Sequence, residues 1–410
     1  MFAKYFQPGA LFSYRPFRNL WLSTILTVGA ISGFPIVLAV AVLDSGASTT
    51  KLGLILAARI VAGVVLAPFA GVWVDRMSRK RALILADGFR AILGTIVVFL
   101  PYDSSKIWLL SLIVFIMGVS DAFGAPASQA IMGSVLPPEK LLQGNTIRGI
   151  AFRMGTVIGP GVAGLFVITL GVRGTFALMS ALFLLGAGLL FRIEEAPREE
   201  SPTPAANYFS ELAAGFRIVW LHKWVAAMIA MATVQLMIVV GTEQVLLPAI
   251  TKRVLHTSSV FATSAMLFSV GAGLSAFIAM KYQAKRRGQY SVLLWSIFAV
   301  APLVLVFPTH RWIVVIGYFI AGFSVGGWES YWWTGVQEEI PEEYLGRVSS
   351  IDYMGSVGLL PLGMALAGPL SQYFGEKPFL IGVAISHIAI CALVLQVPGV
   401  KDMKSPHTIL

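Results

Sequence analysis

The chain has 410 residues, of which 57% are hydrophobic and 12% charged, and its mean hydropathy is +0.80. A soluble globular chain is nearer a quarter charged, so this composition excludes disorder, argues against a soluble enzyme of this size and fits a polytopic membrane protein. The formal charge of +10, from 30 Lys and Arg against 20 Asp and Glu, points to basic loops on one membrane face rather than to nucleic acid. The single Cys391 excludes an internal disulfide and a cysteine-cluster metal site.

Residues 1–18 are short and basic, and the apolar run after them is long enough to span, so no cleavable signal peptide is expected. One crossing needs about 20 apolar residues. Six such segments come first: Asn19–Val42, Leu52–Val74, Ala82–Leu100, Ile107–Ile131, Leu142–Leu170 and Thr175–Phe191. A polar stretch, Glu194 to Pro204, carries three prolines and clustered charge and reads as a solvated linker. Tyr208 to Trp220 places Phe209, Leu212, Phe216 and Val219 at helical spacing, as an interfacial amphipathic helix would. Six more segments follow: Trp224–Leu247, Ser259–Met280, Tyr290–Phe307, Trp312–Thr334, Arg347–Tyr373 and Pro378–Val397. Long continuous apolar runs are helices, because strands of a membrane barrel would alternate over about ten residues.

The expected organisation is therefore an N-terminal six-helix bundle (1–193), a linker with its amphipathic helix (194–221) and a C-terminal six-helix bundle (222–410). The halves echo each other. Leu136-Pro137-Pro138-Glu139-Lys140-Leu141 precedes the fifth span and Ile340-Pro341-Glu342-Glu343-Tyr344-Leu345 the eleventh, and basic clusters follow the second and eighth spans. Both suggest a duplicated unit. Placing both termini in the cytoplasm puts most Lys and Arg there and leaves Lys51, Lys106, Arg173, Lys252, Arg253, Arg311 and Lys377 outside, as the positive-inside rule requires.

Between spans two and three lies Gly71-Val72-Trp73-Val74-Asp75-Arg76-Met77-Ser78-Arg79-Lys80-Arg81. Gly71 permits a close helix approach, and Asp75 can meet a helix N-terminus or an Arg. This stretch resembles the signature loop of the major facilitator superfamily, with Ser78 where a glycine is usual. The resemblance implies a gating role for Gly71, Asp75, Arg76, Arg79 and Lys80. Asp352, near Arg347 at the start of span eleven, is expected at the same inward gate. In span five, Gly155, Gly159, Pro160 and Gly164 resemble the glycine–proline motif of antiporter-type exporters. Small residues allow close packing and Pro160 favours a bend.

Arg18-Asn19-Leu20-Trp21, Ala86-Asp87-Gly88-Phe89-Arg90, Asp121 to Ala127, Gln143-Gly144-Asn145 and Leu345-Gly346-Arg347 are similar to the macrolide-efflux and enterobactin-exporter branch. That implies a multi-pass protein of a bacterial inner membrane. One departure stands out: the Arg that many proton-driven drug antiporters carry in span four is Val114 here, four residues before Gly118.

Ionisable groups inside spans are costly and usually face the bundle interior. Asp87 and Arg90, three apart, can pair along one face. Arg59, Asp121, Glu243 and Glu329 are the substrate or proton candidates. A carboxylate buried without a partner is costly as an anion, which suits it to carry a proton or meet a cation. An ion pair of Asp121 with Arg148 or Arg153 is the structural alternative. Trp328 and Trp332 flank Glu329 in span ten and could hold a flat or cationic substrate, or form part of an interfacial aromatic belt.

No catalytic residues, cofactor or metal site are expected: there is no phosphate-binding or dinucleotide motif, and the five histidines are scattered. The expectation is an all-α membrane protein of twelve helices in two pseudo-symmetric bundles. It would be a monomeric secondary transporter, a proton-coupled exporter of a small hydrophobic compound, drug-like or siderophore-like, working by alternating access in the lipid bilayer without nucleic acid. An uptake porter or facilitator for a nutrient, metal complex or metabolite stays open, as does a non-transporting receptor or assembly partner.

Overall fold

The computed structural model describes residues 11–100, 107–193, 208–255, 259–282 and 284–404, and leaves some helical side chains, those of 67–76 and 153 among them, outside the description. The described residues form helices and connecting turns, with no strand among them. Among the described residues, ten helices are long and apolar enough to cross a membrane. One of them, Gln143–Phe191, has 49 residues, or about 74 Å at the α-helical rise, more than two bilayer cores. It breaks at Gly171 (φ 70°, ψ 177°), a conformation open to glycine because it has no Cβ, and so makes two spans. With the shorter apolar helix Trp108–Gly124 the spans number twelve.

The first six are α1 (Arg15–Asp44), α2 (Thr49–Arg76), α3 (Arg79–Phe99), α4 (Ile107–Ala130), α5 (141–170) and α6 (172–191). Then come α7 (Tyr208–Leu221) and the second six. These are α8 (Lys223–Leu255), α9 (Ser259–Lys281), α10 (Arg287–Val306), α11 (Arg311–Glu339), α12 (Glu342–Gly358 and Leu360–Phe374) and α13 (Glu376–Val394). Within α8, Leu236–Val240 is a π-helical turn. The two proline-bearing repeats have matching roles. Pro138–Lys140 forms a 3₁₀ turn leading into α5, and Pro341 is the N-cap of α12.

Contacts divide the chain into two compact units, Met1–Ala47 with Ala58–Thr203, and Ser48–Ala57 with Pro204–Leu410. In the first unit α1 packs along the α5–α6 segment, which also meets α3, while α3 packs on α4. An apolar cluster including Phe12, Phe17, Leu20, Ile131, Leu136 and Leu190 closes one end. In the second unit α9 and α10 pack on α11, and α8 packs on α12. Its largest fully buried side chains are Trp224, Trp295, Tyr318 and Phe298. Helix α7 packs on α12, where a Cβ on Gly215 would come within 2.7 Å of Ile351. Phe216 and Trp220 stay exposed, the face an interfacial helix turns to lipid. Residues 194–207 of the expected linker lie outside the described residues.

Candidate functional site

The first unit holds a buried network of four charges on α2, α3 and α4. Arg90 donates from Nη1 to Asp87 Oδ1 (2.6 Å), from Nε to Asp121 Oδ1 (3.0 Å) and from Nη2 to the Ser120 carbonyl (2.9 Å). Arg59 donates from Nε to Asp121 Oδ2 (2.9 Å) and from Nη1 to the Ile31 carbonyl (3.4 Å). Its guanidinium lies 5.3 Å from the centre of the Phe34 ring. Thr27 donates from its hydroxyl to Asp87 Oδ2 (3.0 Å). Two carboxylates and two guanidiniums cancel in charge, and both carboxylates have charged donors, which is the condition for ions to sit inside a membrane protein.

Among the described residues Asp121 therefore has two charged partners, Arg59 and Arg90, and not the Arg148 of the sequence alternative. Arg148 reaches the carbonyl and hydroxyl of Ser128 (3.3 and 3.4 Å), and the Arg153 side chain lies outside the described residues. Val114 is buried, so α4 carries no cation there. The cations beside Asp121 come instead from α2 and α3. Gly118 makes this possible, because a Cβ at that position would overlap the Arg59 carbonyl oxygen.

In the signature loop, Gly71, Asp75 and Arg76 lie on α2 with side chains outside the described residues. Ser78, standing where a glycine is usual, caps α3: its hydroxyl accepts from the Arg81 backbone N–H (3.2 Å). Arg79 opens α3 and is half-buried. Lys80 donates from Nζ to the carbonyls of Phe191 (2.9 Å) and Ile193 (2.7 Å), so a cation sits at the C-terminal end of α6, where the helix dipole favours it. Lys80→Met should lower stability by about 1 kcal/mol, read as a small drop in melting temperature of the purified protein.

Asp352 accepts from Trp332 Nε1 (3.4 Å) and the Ser356 hydroxyl (3.1 Å). Arg347 lies instead over the Tyr344 ring, 5.5 Å from its centre. The sequence neighbour of Asp352 is thus not its bonded partner.

The small residues of α5 meet α1. A Cβ on Gly155 would approach Val28 to 2.8 Å, and one on Gly159 would lie 2.5 Å from the Gly29 carbonyl oxygen. Pro160 is inside the helix and Gly164 is buried. Beside this contact is an almost wholly apolar crevice of about 170 Å³, walled by Gly29, Gly155, Ile158, Gly159, Phe166 and Leu182.

In the second unit the span-ten aromatics are committed to packing. Trp328 stacks on Trp295 (4.6 Å between centres) and Trp332 meets Trp224 edge-on (5.8 Å). Glu329 is exposed. Behind Trp295 runs a buried polar chain that sequence reading missed. Trp295 Nε1 donates to Gln235 Oε1 (2.5 Å), Gln235 Nε2 donates to the His387 carbonyl (3.1 Å) and towards Cys391 Sγ (3.2 Å), and His387 Nε2 lies 2.8 Å from the Trp295 carbonyl. The available signal was Gln235, an amide side chain within the largely apolar run Trp224–Val240. Glu243 is half-buried on α8 three residues after the π turn, and no ion pair joins it to another described residue.

Twelve spans, a paired charge network in one unit and an unpaired carboxylate in the other define a membrane protein built around internal polar sites. The family model for the Major Facilitator Superfamily matches residues 20–360, and the chain belongs to that family of transporters. It is 23% identical over 404 residues to the multidrug efflux pump Tap of Mycolicibacterium fortuitum, covering 94% of this chain and 96% of that protein. It is 25% identical to the enterobactin exporter EntS of Shigella flexneri, covering 86% and 84%. To macrolide efflux protein A of Streptococcus pyogenes it is 24% identical, covering 81% and 84%.

Among solved structures the fold is shared with the nucleoside transporter NupG (TM-score 0.69, 12% identity, 92% of this chain and 98% of that one). The same holds for a D-xylose–proton symporter (TM-score 0.69, 14% identity, 96% and 99%). The protein is thus a multi-span membrane transporter for a small-molecule substrate, not an enzyme.

Proposed function

We propose that this transporter is a proton-coupled exporter of a small, hydrophobic compound, working as a monomer by alternating access in a bacterial inner membrane with both termini cytoplasmic. The observation that carries export is the set of relatives. Three proteins named as efflux pump, exporter and efflux protein each align over more than four fifths of this chain. The glycine–proline motif of α5, with Gly155 and Gly159 pressed on α1, supports the same direction.

In this reading Asp75, Arg76 and Arg79 of the signature loop are gating residues, as is Asp352, and Lys80 anchors the loop to the end of α6. Arg59 and Asp121 hold α2 to α4, and Trp328 and Trp332 stiffen α11. Glu329, exposed on α11, remains available to meet a substrate.

The test is accumulation of lipophilic cations, macrolides and catecholate siderophores in cells expressing the chain, with and without a proton uncoupler. Lower accumulation of a panel member, abolished by the uncoupler, is the expected result. Higher accumulation on expression would mean uptake. Unchanged transport in a normally expressed Asp75→Asn variant would remove the gate from the mechanism.

A further inference from the structure

We propose that Glu243, with the Tyr318 hydroxyl beside it, is a proton-binding site in the second unit, and that its loading and release accompany transport. The coupling half of this inference rests on the proton-driven reading above; the binding half stands on the following geometry.

Glu243 sits on α8 in the turn that follows the π segment Leu236–Val240. A π turn inserts one extra residue into a helix, and such insertions recur at functional sites. One residue corresponds to about 100° of rotation, so the segment re-aims everything after it, Glu243 included. The backbone there is held firmly. A Cβ on Gly241 would meet the Gly363 carbonyl carbon at 2.9 Å and the Met364 nitrogen at 3.0 Å, and one on Gly363 would overlap the Met237 carbonyl oxygen. Two backbones pressed together at these glycines make a rigid platform for the carboxylate.

The group facing Glu243 is Tyr318 of α11. Its side chain is 1% exposed, and its hydroxyl has no hydrogen-bond partner of ordinary geometry. A buried hydroxyl left short of a partner is costly, and a carboxyl group that moves slightly toward it would satisfy both. Inside a membrane protein an anionic carboxylate also needs a cation or several donors, and among the described residues it has one hydroxyl at most.

Among the described residues, the other titratable groups on the surrounding helices are remote or engaged. On α8 itself Lys252 is nine residues on, about 13 Å along the axis, and Arg253 pairs with Glu376 (2.6 Å). On α11, Arg311 is seven residues before Tyr318, about 10 Å, exposed and over Trp312. Glu329, Tyr331, Glu338 and Glu339 lie from eleven residues onward past Tyr318 on the same helix. Helix α9 brings Lys281 at its far end, the 360–374 segment of α12 brings exposed Tyr373, and the Ser48–Ala57 stretch brings exposed Lys51. The 300–306 turn of α10 brings none.

Asp121 contrasts with this site at every point. It accepts from two guanidiniums, and to take a proton it would have to forfeit two charged contacts. Glu243 has none to forfeit, and its partial exposure gives a proton a way in and out.

The experiment is infrared difference spectroscopy on the full chain reconstituted in phosphatidylethanolamine–phosphatidylglycerol vesicles, stepping the pH with protons as the only ligand. A carboxylic-acid C=O band that changes with pH is expected in the wild type, absent in Glu243→Gln and shifted in Tyr318→Phe. The near-isosteric Gln should preserve the fold. If it does not, the Tyr318→Phe shift carries the test, and a band unmoved by that variant overturns the site. A wild-type band retained in folded Glu243→Gln also overturns it. For coupling, the panel compound that wild-type cells export is followed in Glu243→Gln cells. Loss of uncoupler-sensitive export with the compound still crossing downhill is expected, and unchanged uncoupler sensitivity overturns the coupling role. A wild type insensitive to the uncoupler but showing the Glu243 band would overturn proton-driven export while upholding the binding site.

Discussion

Asp121→Asn should destabilise the first unit by about 3–5 kcal/mol, the range for removing one partner from a buried ion network. Asp121 is the acceptor shared by Arg59 and Arg90, whose side chains are only 10% and 3% exposed. Asn keeps the shape but not the charge, so two guanidiniums would face a single neutral acceptor, with Asp87 the one carboxylate left to them. Thermal unfolding of the purified protein in detergent and the yield of folded protein both read the loss. A double-mutant cycle with Arg59→Gln separates repulsion from lost bonding: the double variant should be less damaged than the sum of its singles. A melting temperature within a degree of wild type for Asp121→Asn would show that the pairs do little for the fold. It would return Asp121 to the proton candidates.

Gly118→Val should be comparably harmful for a different reason. The Gly118 position faces the Arg59 carbonyl and the Ala62 methyl, the latter 2.9 Å from where a Cβ would lie. Backbone cannot give way as a flexible side chain can, so α2 and α4 must separate. Overpacking of this kind costs about 1–3 kcal/mol, and separation also draws the Arg59 guanidinium away from Asp121, only three residues along α4. Gly118→Ala is the graded version, with the same clash and less bulk. The check is a ranking of melting temperatures, wild type above Ala above Val, with transport falling in the same order. Val matching wild type would mean that the α2–α4 approach is looser than the structure has it. By contrast Gly88 and Gly149 have open space around the missing Cβ, and alanine there should be tolerated.

The membrane class, the helical fold and the number of spans were legible in the chain itself. Apolar length is a local property, and 20 or so consecutive apolar residues admit few other fates. Even the pair of spans running through 141–191 was separable, since the expected boundary at Leu170 falls one residue before the Gly171 break. The candidate charges were legible too, because a charge within an apolar run stands out whatever surrounds it. Asp87 and Arg90 could be paired from sequence alone, being three residues apart on one helix.

Partnership was decided elsewhere. Asp121 finds Arg59 and Arg90, 62 and 31 residues away, because α2 and α3 both pass it, and nothing in the spacing along the chain distinguishes them from Arg148. Trp328 and Trp332 look alike in sequence whether they face a substrate or Trp295 and Trp224. Only the packing of α10 and the start of α8 against α11 assigns them to the interior of the unit. Glu243 depends most on the tertiary structure. Its direction is set by a π turn stabilised through backbone contact with α12, and its neighbour Tyr318 comes from another helix. Sequence by itself determined which residues lie in the membrane and which of them are charged, since burial in lipid follows from local composition. The tertiary structure decided which charges are neutralised and which are left poised, since that depends on distances between helices that no local pattern encodes.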